Sequence, residues 1–327
     1  MTGLSDSFQR PINYLRISVT DRCNLRCIYC MPTNGVRLMS HRDILTYEEI
    51  RSVVEAAAQL GISKVRLTGG EPLIRLGLSE LIRMLAQVEG IDDVSLTTNG
   101  TLLGGYAAEL KSAGLRRVNI SLDTLKPDRF EFITRGRHLN DVLDGIRIAR
   151  AVGLNPVKIN TVVMTGINDD ELPDFAAKTI GDGWNVRFIE FMPVVAEGAV
   201  NQQLVSVGEM RRRFGLLGEL EPCLSIAGNG PAKYFRFPQA EGTIGFITPV
   251  SEHFCFNCNR LRLTADGRLR PCLLAEDEVD LKPPLRRGVS LTGLKSLIAE
   301  TVARKPLRHH LAEGYVPKDR SFSQVGG

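Results

Sequence analysis

The chain has 327 residues, 43% hydrophobic and 24% charged, enough apolar content for a sizeable core, which excludes global disorder. Its 41 basic and 37 acidic residues leave a net charge of +4, too balanced for a general nucleic-acid binder but compatible with a local basic site for a polyphosphate. No apolar run reaches the ~18 residues of a membrane span, and the opening MTGLSDSFQRPINY lacks the apolar stretch of a secretory signal, so a cytoplasmic protein with no membrane partner is expected.

In chain order, Tyr14–Val19 is rich in β-branched residues and predicts a strand. Tyr47–Leu60 predicts a helix, with Ile50, Val53, Val54 and Ala57 on one stripe, Thr46 and Glu49 as a capping box and Gly61 as the stop. The alternation continues with strands at Lys64–Leu67, Val94–Thr97, Arg117–Leu122, Val157–Val163 and Val186–Phe191. Helices fall between them at Leu78–Val88, Gly105–Ala113, Pro127–Thr134, Asn140–Val152 and Glu171–Ile180. This βα rhythm predicts parallel strands with helices outside, an α/β fold of the incomplete TIM-like (β/α)6 kind. Near residue 200 the rhythm changes. A short helix over Gly208–Leu217 precedes a Pro/Gly-rich linker, Glu221–Lys233. Tyr234–Phe237, Gly245–Pro249 and Arg260–Leu273 then read as antiparallel strands. Residues 1–220 are expected to form the barrel and residues 221–327 a C-terminal α+β region.

Six of the seven cysteines fall into two sets of three: Cys23, Cys27 and Cys30, then Cys255, Cys258 and Cys272. A reducing compartment disfavours disulfides, and each set reads as a metal site lacking a fourth protein ligand. The first set, in DRCNLRCIYC, follows the first strand directly. Structural zinc takes four protein ligands, and iron–sulfur clusters are normally held by four cysteines, so three leave one iron open. Zinc completed by a distant His or Cys stays an alternative. The second set, CFNC with Cys272 downstream, fits a zinc knuckle or an iron–sulfur site equally when taken alone. Cys223 belongs to neither set.

Arg260 and Arg262 alternate along a strand, so both point to one side. Their forks suit phosphate or carboxylate, a solvated strand face being the alternative. Lys158 and Asn160 face opposite to Val157, Ile159 and Thr161. A lysine directed into a barrel needs a partner, either a phosphate or a salt bridge. RLTGGEP (Arg66–Pro72), TTNG (Thr97–Gly100), NISLD (Asn119–Asp123) and EFMP (Glu190–Pro193) lie at strand C-terminal ends, the catalytic face of a barrel. No P-loop motif occurs, and Gly228-Asn229-Gly230 continues Pro-Ala-Lys, unlike a dinucleotide-binding turn.

The spacing Cys-x3-Cys-x-aromatic-Cys, with Tyr29 at the aromatic position, resembles the radical S-adenosylmethionine (SAM) enzymes. That resemblance implies a [4Fe–4S] cluster on Cys23, Cys27 and Cys30 whose open iron chelates SAM and cleaves it to methionine and a 5′-deoxyadenosyl radical. Gly69-Gly70-Glu71-Pro72 resembles the SAM-binding turn of the same enzymes. Glycines there would let backbone carbonyls approach the ligand.

The match extends from LRISVTDRCNLRCIYCMP through VRLTGGEPL, VNISLDTL, KINTVVMTGINDDE and ITPVSEHFCFNCNRLRLTADGRLRPCL to VGG. Over that length the chain is similar to the GTP 3′,8-cyclases of molybdenum cofactor (molybdopterin) biosynthesis. The resemblance implies a second [4Fe–4S] cluster on Cys255, Cys258 and Cys272, its open iron touching the GTP base. It places Tyr29, Gly70, Ser121 and Met192 around SAM, with Asn99 orienting it. Arg16, Arg66, Thr97, Lys158 and the segment Arg260-Leu261-Arg262 would contact GTP, and Arg262 with the terminal Gly326 and Gly327 would serve catalysis. The family usually ends Ile-Gly-Gly, whereas this chain ends Val325-Gly326-Gly327.

The implied reaction removes hydrogen from C3′ of GTP and joins C3′ to C8, and reduction and protonation then give 3′,8-cyclo-7,8-dihydro-GTP. An external electron donor is implied, with cyclic pyranopterin monophosphate synthase as the next enzyme. A homodimer is compatible with the resemblance, and no nucleic-acid partner is expected. Two other readings stand beside it. A radical SAM peptide-modifying enzyme with an auxiliary cluster usually carries more downstream cysteines, and a zinc-stabilised binding module would be colourless where a cluster protein is brown.

Overall fold

A computed structural model of the chain describes residues 3–192, 204–223, 230–315, 317, 320 and 322–326. Strands and helices alternate through β1 (Tyr14–Ser18), α1 (Tyr47–Gln59), β2 (Lys64–Thr68), α2 (Leu78–Ala86), β3 (Asp93–Thr98), α3 (Leu103–Ser112) and β4 (Arg117–Ser121). They continue through α4 (Pro127–Thr134), α5 (Leu139–Ala151), β5 (Val157–Val163), α6 (Leu172–Gly181) and β6 (Asn185–Glu190). These lie close to the expected bounds because each is specified locally. The N–H of Glu49 donates to Thr46 Oγ1 at 3.2 Å while the N–H of Thr46 donates to Glu49 Oε2 at 2.8 Å. This is the reciprocal cap read from the sequence, and the expected stripe of α1 is buried.

Beyond β6 come α7 (Val207–Arg213), β7 (Glu221–Pro222), β8 (Lys233–Arg236), β9 (Thr243–Ile247), β10 (Arg260–Leu263), β11 (Arg268–Arg270) and β12 (Val279–Asp280). The helices α8 (Lys282–Arg286), α9 (Leu291–Ala303) and α10 (Phe322–Val325) follow. One sheet runs β12-β11-β10-β1-β2-β3-β4-β5-β6-β9-β8-β7, with β1 to β6 parallel in sequence order. It is an incomplete (β/α)6 barrel, with the later strands appended at both edges.

The expectation of antiparallel C-terminal strands needs correcting. β9 runs parallel to β6 and β10 parallel to β1, while β7, β8, β11 and β12 supply the antiparallel pairs. Nor is Arg260–Leu273 one strand. A turn intervenes, in which the N–H of Thr264 donates to the Arg268 carbonyl at 2.9 Å, so the chain folds back as β11. Helix α9 went unread although its signal is present: Ser290 caps it by accepting the Gly293 N–H, and Leu294, Ile298 and Val302 are buried. Of the expected linker, residues 224–229 lie outside the described residues.

The two faces of the sheet differ in chemistry. Leu15, Ile17, Leu67, Ile120, Ile159 and Phe188 face outward into one core with α1 to α6. The alternate positions face inward and carry charge. Among the described residues no helix is long and apolar enough to cross a membrane.

Candidate active site

Parallel pairing brings distant residues into one row on the inner face. Arg262 of β10 pairs with Arg16 of β1, Arg16 with Arg66 of β2, Arg66 with Ser95 of β3, and Ser95 with Arg117 of β4. Lys158 pairs with Asn119, and Arg187 with Asn160. Arg66, Arg117, Lys158, Arg187 and Arg262 are all buried. Like charges side by side on one sheet face repel, and their compensation is partial. Asp93 pairs with Arg117, the Tyr14 ring lies 5.6 Å from the Arg66 guanidinium, and Lys158 Nζ donates to Tyr234 Oη at 3.2 Å. Burial and the surrounding arginines push the Lys158 ammonium down to about 6. Burial first, then Arg260, brings Arg262 to about 10. A polyanion is the ligand that such a surface stabilises.

This row opens on a cavity of about 170 Å³ lined by Arg16, Arg66, Thr97, Asn119, Asn160, Arg187, Arg260 and Arg262, together with Cys255, Cys258 and Cys272. Burial raises the Cys258 thiol, but Arg260 and Lys305 outweigh it and bring the group down to about 6. Lys158 sits beside this lining rather than in it, held toward Tyr234.

A second cavity, about 210 Å³, is lined by Cys23, Cys27, Cys30, Tyr29, Gly70, Asn99, Ser121 and Met192. Here burial raises the thiols, Cys23 to about 11 and Cys30 to about 12, and the charged neighbours are the acids Glu71 and Asp123. Tyr29 Oη donates to Asp123 Oδ2 at 2.7 Å. Asn99 Nδ2 donates to Asn24 Oδ1 at 2.8 Å, next to Cys23. Both cavities far exceed single-water voids. Among the described residues no three His, Cys, Asp or Glu side chains are arranged to hold a single metal ion. Each cysteine set instead rims a chamber, and three thiols without a fourth ligand fit a cluster with one open iron.

The two chambers share a wall. Thr97, Asn160, Ile189 and Met192 line both, and Thr97 Oγ1 and Asn160 Oδ1 are buried with no hydrogen-bond partner. Such atoms call for a ligand. Gly70 has a packing reason the sequence did not show: a Cβ there would lie 2.1 Å from the Arg22 carbonyl, so the turn presses on the segment that carries Cys23. Phe322 and Ser323 of α10 line the chamber of Cys23, Cys27 and Cys30, and Arg262 Nη1 donates to the Gly326 carbonyl at 2.5 Å. Gly327 and Pro193 lie outside the described residues.

The fold thus brings Tyr29, Gly70, Asn99, Ser121 and Met192 to the first cysteine set, and Arg16, Arg66, Thr97, Arg260 and Arg262 to the second. Leu261 is placed differently: its side chain is fully buried in the outer core, because strand alternation turns it away from the face its two arginine neighbours share. Sequence reasoning missed Arg187, and it placed Asn119 and Asp123 at the catalytic face, in NISLD, without giving either a role. For Arg187 the signal was present, since it alternates with Val186 and Phe188 as Lys158 does with its own neighbours.

The Radical SAM superfamily matches residues 17–178, and Molybdenum Cofactor Synthesis C matches residues 184–311. A GTP 3′,8-cyclase from Pelotomaculum thermopropionicum is 53% identical over 99% of this chain and 100% of its own length. One from Moorella thermoacetica is 52% identical over the same shares. The crystal structure of Streptococcus suis SuiB covers 92% of this chain and 68% of its own, with a TM-score of 0.64 at 12% identity, a likeness of fold alone. Near-complete coverage at such identity, on a barrel with this thiol-rimmed chamber, places the chain in the radical SAM superfamily and, within it, in the GTP 3′,8-cyclase family.

Proposed function

We propose that this chain carries out the radical SAM-dependent cyclisation of GTP to 3′,8-cyclo-7,8-dihydro-GTP, the first step of molybdenum cofactor biosynthesis. The observation that carries this reading is the shared wall: a chamber rimmed by three thiols meets a cation-lined chamber across Thr97, Asn160, Ile189 and Met192. Two ligands bound on either side would meet there, which is what a reaction between them requires.

Cys23, Cys27 and Cys30 would hold a [4Fe–4S] cluster, and SAM bound there would supply the radical chemistry that removes hydrogen from C3′ of GTP, the joining of C3′ to C8 being completed by one electron from the donor and a proton. The remaining work falls to the chain's own residues. Arg16, Arg66, Arg187, Arg260 and Arg262 neutralise the triphosphate as fixed cations, joined by Lys158 once the bound triphosphate has favoured its ammonium, without a P-loop. Thr97 and Asn160 present their free oxygens to the ribose at the wall. Tyr29, Gly70, Asn99, Ser121 and Met192 enclose SAM, with the Tyr29 hydroxyl anchored on Asp123. Gly326, docked through Arg262, closes the chamber against water.

The finer reading is that Cys255, Cys258 and Cys272 hold a second [4Fe–4S] cluster whose open iron meets the guanine base. In it, residues 1–220 form the SAM barrel and residues 221–327 carry this second cluster. An external electron donor, a cytoplasmic setting, a homodimer and transfer of the product to cyclic pyranopterin monophosphate synthase complete it. Anaerobic incubation with SAM, GTP and a reductant tests the whole. It is expected to give 5′-deoxyadenosine and the cyclic GTP product, and absence of both would overturn the reading.

A further inference from the structure

Lys305 lies just beyond α9, is 4% exposed, and belongs to neither cysteine set. Its Nζ donates to the Arg260 carbonyl at 2.8 Å and to the Pro271 carbonyl at 2.6 Å. Arg260 stands two positions after Cys258, and Pro271 immediately precedes Cys272. One ammonium therefore ties the two segments that bring those cysteines together.

Carbonyl dipoles solvate an ammonium without neutralising it. Among the described residues the charged or titratable groups that act most strongly on Lys305 are Cys258, Cys272, Arg260 and Arg10, with no carboxylate among them. Arg10 makes the contrast plain. It too is buried and braces the same site, donating to the carbonyls of Cys255 at 2.7 Å, Pro306 at 2.7 Å and Leu307 at 2.8 Å. Its own charge is balanced by Asp6 at 2.5 Å. A buried cation left without an anion is unfavourable, so the missing negative charge belongs on the thiolate side of the chamber. The first cysteine set has the opposite surroundings, with Glu71 and Asp123 as its charged neighbours.

We infer that Lys305 is the built-in counter-charge of the second cysteine set, a positioning residue that ties the Cys258 and Cys272 segments and sets positive charge against a thiolate-held cluster. This rests on the reading that Cys255, Cys258 and Cys272 hold an iron–sulfur cluster. A fixed cation beside such a cluster favours its more negative, reduced form and the thiolate state of its ligands.

The test uses the anaerobically reconstituted full chain, without SAM or GTP, followed by Mössbauer spectroscopy and redox-poised EPR. Lys305→Met removes the charge at similar length, and Lys305→Arg keeps it. In Lys305→Met the second cluster is expected to fall several-fold in occupancy, or to remain with a more negative reduction potential, while the first cluster keeps its signal. Lys305→Arg is expected to recover occupancy and potential at least in part. Wild-type occupancy and potential in Lys305→Met would overturn the inference. So would equal loss of both clusters, which would make Lys305 a support of the whole fold. Wild-type protein with about four irons per chain and a single cluster signal would instead overturn the underlying reading, before any variant is compared.

Discussion

Arg262 and Gly326 are joined by a guanidinium-to-carbonyl hydrogen bond of 2.5 Å that spans 64 positions of the chain. It fixes the end of α10 over the row of inner-face cations. Gly326 has φ +68, and a Cβ there would lie 2.4 Å from Thr68 Cγ2, so only glycine fits as the structure stands. Gly326→Ala adds left-handed strain of ~1–2 kcal/mol to that clash, so cyclisation is expected to drop by about tenfold or more. Deleting Gly326 and Gly327 is expected to abolish it. In both variants iron content and fold stay intact and uncoupled SAM cleavage continues. Chromatography of products beside an iron assay checks this, and undiminished product from the truncated chain would make the tail a passive end.

The two cysteine sets are expected to divide the work. Cys27→Ser removes a ligand from the SAM side and should abolish formation of 5′-deoxyadenosine. Cys258→Ser should spare SAM binding while impairing GTP binding and turnover. If both variants lost GTP affinity alone, the assignment of the two chambers would fail.

Lys158 predicts a pH dependence. Burial and its arginine neighbours lower it from 10.5 to about 6, so above that pH it is largely uncharged in the ligand-free protein. A bound triphosphate favours the ammonium, so binding takes up a proton and GTP affinity falls as pH rises above about 6. Between about 6 and 10.5 the unfolded chain carries the extra proton at this site, so this group's contribution to stability rises with pH across that window. Titration calorimetry in buffers of different ionisation enthalpy should detect proton uptake by wild type and less by Lys158→Met. Equal uptake by both would place the titration elsewhere.

Arg66 stands in the repelling row beside Arg16, so neutralising it should affect stability and binding in opposite directions. Arg66→Gln is expected to raise the Tm of the ligand-free protein through relief of repulsion. It should weaken GTP binding by about tenfold or more, the worth of one charge-assisted contact, with the difference shrinking as salt increases. A lower Tm with unchanged GTP affinity would make Arg66 a structural residue only.

Leu261 gives a control from the opposite face of the same strand. Leu261→Ala should cost ~2–5 kcal/mol in urea unfolding and leave the GTP affinity of the folded protein unchanged. Loss of affinity in a variant that remains fully folded would return Leu261 to the substrate site.

Local patterns alone determined the six βα units, the Thr46–Glu49 cap, the first cysteine spacing and the inward turn of Lys158, Arg260 and Arg262. Each depends on residues within a turn or two of one another, where a period of 2 or 3.6 already specifies which face is buried. Tertiary structure alone decided that β9 and β10 run parallel to β6 and β1, because a parallel partner is chosen across a long connection that leaves no local period. It brought Arg187, Asn119 and Arg262 to one chamber through a register linking strands far apart in sequence. It also made Gly70 a contact with Arg22 and turned Thr97 and Asn160 into a wall common to both chambers. Shared walls and close backbone approaches arise from how elements meet in space, and no periodicity in a chain encodes where two distant strands will face each other.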